Sequence, residues 1–197
     1  GTLQWGTYYG GNGNDIGRSI AIDTDNNIYM TGRTTSTSAI ATTGSHQTAH
    51  GGQEDAFLVK FNDSGVRQWG TYYGGTGNDS GSGIAIDLNG LIYVTGATAS
   101  TSSIAVTGSH QPFLSFGFDA FLVKFNSSGV RQWGTYCGGS GWEWGYGVAT
   151  DTQGNVYITG ELFFTMDGIA TVDAHQTTFG GDYDAFLVKF NGSGVRQ

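Results

Sequence analysis

Residues 55–75 read DAFLVKFNDSGVRQWGTYYGG, and the phrase returns twice more along the chain. Phe57-Leu58-Val59-Lys60-Phe61-Asn62 recurs at 121–126 and 186–191, while the WGTYYGG that opens at Trp5 recurs at Trp69 and, as WGTYCGG, at Trp133. Two apolar runs flank the turn Asn62-Asp63-Ser64-Gly65, which recurs at 126–129 and 191–194. Asn opening a turn and Gly closing it, between such runs, predicts a hairpin whose Gly takes positive φ. Phe57, Leu58, Val59 and Phe61 load both sides of the first run, so it belongs in a sheet covered on both faces.

Working outward, the tryptophans mark a 64-residue period, with one extra residue in the third unit. Each unit resolves into four strand-like runs: 19–23, 28–32, 55–62 and 66–74 in the first, with a long polar loop over 33–54. Four antiparallel strands per unit, stacked between copies of themselves, predict an all-β fold of β-propeller blades. A β-solenoid is the competing architecture, but its shorter coils rarely need two tight hairpins each. The chain reads as one repeat array over 1–197, with blades at about 5–68, 69–132 and 133–197. The run 19–23 is expected innermost and 66–74 outermost. The segment Leu3 to Gly10 then reads as an outermost strand without a blade, and the third blade's own outer strand only begins at Val195. The segment 1–10 is therefore expected to complete a blade by exchange.

The phrases GTYYGGNGND, SIAIDTDNNIYMTG and DAFLVKFNDSGVRQWGTYYGG resemble the bacterial β-propeller repeat family often called SBBP. The resemblance covers all three units. It implies a propeller within large secreted or surface-attached bacterial proteins, and it brings no catalytic residue set. Related repeats usually carry an aromatic where this chain has His46, His110 and His175.

Composition agrees: 35 glycines, one proline and 14% aromatic residues suit short strands and many turns. The formal net charge is −8, with eight Lys and Arg spread along the repeats, which argues against a nucleic-acid partner. No apolar stretch approaches the ~20 residues of a membrane span. The chain begins at Gly1 without a signal peptide and reads as a mature piece or an excised segment. Cys137, standing where the other units have Tyr9 and Tyr73, is expected to be a buried thiol.

Propellers have 4–8 blades, so three cannot meet edge to edge. An open fan leaves two blade faces wet, each of roughly 320 Å². At ~25 cal/mol per Å² of apolar area, each wet face forfeits several kcal/mol, comparable with the stability of a whole domain. Two copies making six blades are the expected answer, giving a homodimer. The rival is three blades of a longer parent ring.

Sites for chemistry are few. GGNGND (10–15) and its copies GGTGND (74–79) and GGSGWE (138–143) are similar to the phrase of calcium-binding β-rolls, which makes Asp15 and Asp79 weak calcium candidates. Those sites need tandem nonapeptides, and a glycine-rich connection explains the phrase as well. The DTDNN turn at Asp23 loses Asp25 in its copies and reads as a plain turn. The three repeated histidines stand on different blades, which argues for loop packing over zinc. Asp55, Asp119 and Asp184 open the third strand in every unit and read as structural hydrogen bonders. The third unit breaks the pattern with Trp142, Glu143, Trp144 and Tyr146, and its loop gains Leu162, Phe163, Phe164 and Met166. Aromatic rings beside a carboxylate suit a sugar or peptide ligand, the competing reading being a satellite core. No catalytic motif appears. The leading expectation is a non-enzymatic structural or adhesive propeller without a cofactor, outside the cytoplasm; the alternative is a carbohydrate- or peptide-binding module using Trp142, Glu143, Trp144, Tyr146, Phe163 and Phe164.

Overall fold

A computed structural model describes residues 1–164 and 168–197. Three antiparallel sheets follow one another along the chain. The first is β1 (Asp15–Ile22), β2 (Ile28–Thr34), β3 (Asp55–Phe61) and β4 (Arg67–Tyr73), paired in chain order. The second repeats it as β5 (Asp79–Ile86), β6 (Ile92–Thr98), β7 (Asp119–Phe125) and β8 (Arg131–Cys137). The third holds β9 (Trp142–Thr150), β10 (Val156–Phe163) and β11 (Tyr183–Phe190), with a fourth strand opened by an isolated bridge from Phe190 to Arg196.

The hairpins form as the turn chemistry dictates. Asn62 Oδ1 accepts from the amides of Ser64 (3.1 Å) and Val66 (2.9 Å), and Gly65 takes φ 77°. Gly129 and Gly194 repeat it at 78° and 80°. At the other hairpin Asp23 Oδ1 accepts from the amides of Asp25 (3.0 Å) and Asn27 (2.9 Å), and Tyr29 donates its hydroxyl to Asp23 Oδ2 at 3.0 Å. Asp87 and Asp151 repeat the arrangement, so this loop is a turn closed by its own aspartate.

The inner strand begins four residues earlier than the sequence pattern predicts, at Asp15, because the β1–β2 pairing continues past a bulge between Gly17 and Ser19. Leu3 to Gly10 is not a strand. Among the described residues no strand lies beside it to pair with its amides and carbonyls, and a strand needs one.

Blade stacks on blade through two apolar clusters. Ala56, Leu58 and Tyr29 of the first sheet meet Ile84, Val94, Phe121, Val123 and Phe125 of the second. Tyr93, Ala120 and Leu122 of the second meet Ile158, Phe186, Val188 and Phe190 of the third. The inner strands β1, β5 and β9 touch in series. Glycines permit that approach: a side chain begun at Gly81 would run into Thr31 Oγ1, and one at Gly145 into Thr95 Oγ1. Backbone bonds from the Asp79 amide to Glu54 O and the Glu143 amide to Phe118 O, both 2.7 Å, stitch the junctions. Two of the three repeated histidines lie over the following blade: His46 meets the Phe125 ring at 5.7 Å, and His110 meets Phe190 at 5.7 Å. Burial, followed by the charge of Arg131, holds His46 down at about 4. Cys137 is buried against the third blade, and that burial pushes its thiol up to about 12.

Candidate functional site

The two open ends of the array mirror its closed junctions. Trp69 donates Nε1–H to Ser127 O (3.1 Å) and lies against Gly129 of the next blade; Trp133 does the same with Gly192 O (3.2 Å) and Gly194. Trp5 repeats the contact on the first blade, donating to Asp63 O at 3.0 Å with its ring against Gly65. Tyr73 donates to Ile104 O and Tyr9 to Ile40 O, each at 2.8 Å. Tyr9 also packs on Phe57 and Phe61. The segment carrying Trp5 and Tyr9 is thus docked on blade one as the outer strand of a preceding blade would be. Its remaining apolar groups hang free: Tyr8 is 102% exposed and Leu3 83%.

At the far end the counterparts are bare. Leu58 and Leu122 are at most 1% exposed, whereas Leu187 is 73% exposed. Thr31 and Thr95 are fully buried, Thr159 is exposed, and His175 covers nothing. A groove of 590 Å³ runs beside β11, lined by Gly168 to Thr171, Ala174 to Phe179, Ala185, Leu187 and Arg196 among others. The unpaired edge of β11 forms one wall, and Gln197 has begun to fill it, its amide donating to Lys189 O at 2.9 Å.

The aromatic residues singled out in the third unit do assemble. In register, Phe163 pairs with Trp142 on one side and with Tyr183 on the other. Phe163 stacks on Tyr183 (4.5 Å between centroids, 22°) and meets Phe164 edge-on at 4.5 Å. Trp144 stacks on Phe118 at 6.1 Å and meets Trp142 edge-on at 5.8 Å. Met166 lies outside the described residues. Alternation along β10 and β11 puts Phe163, Tyr183 and Leu187 on one face, so the aromatic shelf is the upper end of the bare blade face. Phe118 and Tyr183 complete a cluster that sequence inspection assigned only partly. Their shared place beside the opening Asp of the third strand is the signal that finds them.

Glu143 departs from the sequence expectation. Its side chain is fully buried at the junction with blade two rather than beside the rings, because it occupies the position of Asp79 and Asp15 in the repeat. Burial raises its carboxyl to about 7, with Asp119 adding to the rise. Donors surround the two weak calcium candidates. Asp15 accepts from Gly11 N (2.9 Å), Thr34 Oγ1 (2.5 Å) and Ser36 Oγ (2.8 Å), and Asp79 from Gly75 N (2.8 Å), Ser100 Oγ (2.6 Å) and Thr98 Oγ1.

A second hollow of 400 Å³ opens where the inner strands of all three blades converge. Arg18, Arg33, Glu54, Ser80, Trp144 and Tyr146 line it. Arg33 is paired with Glu54 at 2.9 Å, yet among the described residues its Nε and the buried Ser80 hydroxyl have no hydrogen-bond partner. Arg18 is exposed, and Tyr146 donates to Glu161 Oε1 at 2.5 Å.

Antiparallel sheets of one repeated pattern, stacked face to face with their inner strands in series, define a β-propeller array. The chain belongs to the SBBP β-propeller repeat family, whose model matches it three times, at 4–38, 68–102 and 132–161. No curated protein matches it.

Proposed function

We propose that the chain is a non-catalytic propeller scaffold of a secreted or surface bacterial protein that self-associates through its blade edges. The observation that carries this is the docked but strandless segment around Trp5 and Tyr9 at one end, matched by the empty strand groove beside β11 at the other. The register of β3 with β4 supplies the pairing in detail: Lys60 with Trp69, Leu58 with Thr71, Ala56 with Tyr73. By the same register a second copy would set its Trp5 opposite Lys189, its Thr7 opposite Leu187 and its Tyr9 opposite Ala185. Two such exchanges close a six-bladed, two-fold ring whose contacts repeat those already made twice within the chain. The placement outside the cytoplasm rests on the family resemblance alone.

Light scattering tests this. A mass of ~42 kDa, twice the 20.8 kDa of the chain, is expected. A Thr7→Cys, Leu187→Cys variant should form a disulfide between copies, since directly opposed residues bring their Cβ atoms to ~5 Å. A single-chain mass at high concentration with no such crosslink would refute the reading.

One observation favours a second reading. Arg18 makes no hydrogen bond or ion pair among the described residues, and it shares the hollow with Trp144, Tyr146 and the unsatisfied Arg33 Nε. A cation beside aromatic rings fits a carboxylate-bearing sugar. Binding of an oligouronate that is lost in both Arg18→Ala and Trp144→Ala would support it, and binding unchanged by either would dismiss it.

A further inference from the structure

Two carboxyls face each other across each closed junction. At the first, Asp55 Oδ1 and Asp79 Oδ2 lie 2.8 and 2.6 Å from the point where a side chain on Gly74 would begin. At the second, Asp119 Oδ1 and Glu143 Oε2 both lie 2.6 Å from the same point on Gly138. All four residues are fully buried.

The hydrogen bonding within each pair is one-sided. Asp79 is surrounded by the donors already described, whereas Asp55 spends Oδ2 on Gly51 N (2.8 Å) and Gln47 Nε2 (2.9 Å) and leaves Oδ1 without a partner. At the second junction Thr98 and Ser100 are replaced by Leu162 and Phe164, which carry no hydroxyl. Glu143 has the amides of Gly139 and Gly141 nearby, short of hydrogen-bond geometry, and among the described residues neither its carboxyl oxygens nor Asp119 Oδ1 has a hydrogen-bond partner. Asp119 Oδ2 takes Gln111 Nε2 (2.6 Å) and Ser115 N (3.0 Å). A buried carboxylate oxygen with no donor is costly. One proton held by a pair of neighbouring buried acids spares the junction a second buried charge. Burial raises Asp55 and Asp119 to about 6, and in Asp55 the facing Asp79 adds to the rise. The other titratable groups here include His50, which opposes the rise in Asp55, the Tyr72, Tyr73 and Tyr136 phenols, and Cys137 with Arg196 near it.

The open edges carry the two halves of another such pair. Asp15 has the donor set of Asp79, and Gly10 stands over it as Gly74 stands over Asp79. The Tyr9 and Tyr72 phenols are its titratable neighbours. Asp184 has the donor set of Asp55: Gly180 N at 2.7 Å and Gln176 Nε2 at 3.2 Å, both on Oδ2. Tyr183 neighbours it in sequence, and Glu161 lies opposite Ala185 on β10.

We propose that edge association sets Asp184 of one copy against Asp15 of another, forming a carboxyl pair that holds one proton, so that closing each junction takes up a proton. This rests on the self-association reading. The sign follows from the closed junction holding its proton to higher pH than the open edge does. Association is strongest in mild acid and weakens as pH climbs through about 6, where the equivalent closed pairs release their proton. A two-fold ring has two such junctions, so the dissociation constant can rise by up to about a hundredfold per pH unit.

Sedimentation of the whole chain between pH 5 and 8 tests this. The wild type should dissociate at least about tenfold more readily at pH 7 than at pH 5. Asp184→Asn should still associate, its amide donating to Asp15, with that dependence largely removed; Asp15→Asn is the second variant. An unchanged pH slope in both variants overturns the pairing while leaving association intact. Dimers strengthened by added calcium at pH 8 would put a cation where the proton is assigned, and would also overturn it. Asp55→Asn provides a readout independent of association: the decline in thermal stability of the monomer between pH 5 and 8 should shrink to the part that the Asp119–Glu143 pair leaves. A chain that stays monomeric at every pH sinks the association reading and the Asp184–Asp15 pair with it, and the Asp55→Asn result then reports on the internal junction alone.

Discussion

Truncating the same leucine in two blades separates closed from open junctions. Leu122→Ala removes a fully buried side chain between blades two and three, and should destabilise the monomer by about 2–5 kcal/mol. Leu187→Ala touches the equivalent residue on the bare face, which is 73% exposed. Full burial of a leucine is worth about 1.5–3 kcal/mol, so covering this one on association gains about 1–2 kcal/mol. A two-fold ring covers it twice. Leu187→Ala should therefore leave the urea midpoint of dilute monomer within about 0.5 kcal/mol of wild type. It should weaken the dimer by about 2–4 kcal/mol, a rise in dissociation constant of tens- to several-hundredfold. Urea unfolding at sub-micromolar concentration and sedimentation equilibrium read the two quantities. Equal losses of monomer stability from both substitutions, with the dimer constant unmoved, would refute the reasoning.

Other expectations follow from the same geometry. Gly129→Ala forces a Cβ into φ 78° and against the Trp69 ring, 3.0 Å away, and should lower stability by about 1–3 kcal/mol by thermal melt. Trp5→Ala should loosen the docked segment and raise protease cleavage within residues 5–9 in the monomer, while costing less stability than Trp69→Ala, which loosens a paired strand. His46 has its pKa depressed to about 4, so stability tied to its neutral form is present above 6.5 and lost as pH falls toward 4. His46→Gln should flatten that acid-side loss, read by melts between pH 4 and 7; the carboxyl pairs act in the opposite direction, their contribution being lost as pH rises through about 6 to 7.

The sequence was most legible where local chemistry decides the outcome. Asn62 and Gly65 specify the outer hairpin by themselves, and the repeat names the other two. It was least legible where two blades meet. Glu143 sits between two tryptophans in the chain and reads as their companion, but strand alternation turns it the other way into the junction. The alignment of Asp15, Asp79 and Glu143 holds the clue to that placement, because repeat position fixes facing more firmly than neighbours do. Asp55 and Asp119 read as structural acids, and they are; that each faces a second acid 24 residues further on is a property of the stacking. The aromatic shelf reads as a groove from the sequence, and its rings do gather, but on the same bare face that carries Leu187.

What the chain determined alone is the blade: period, turns, strand order and two-sided apolar loading are local properties written in short spans of residues. What only the tertiary structure decided is which carboxyls, hydroxyls and rings from different blades come together, and which stay uncovered at the ends. Those relations are set by the angle and spacing of one sheet on the next, and no short stretch of sequence encodes them.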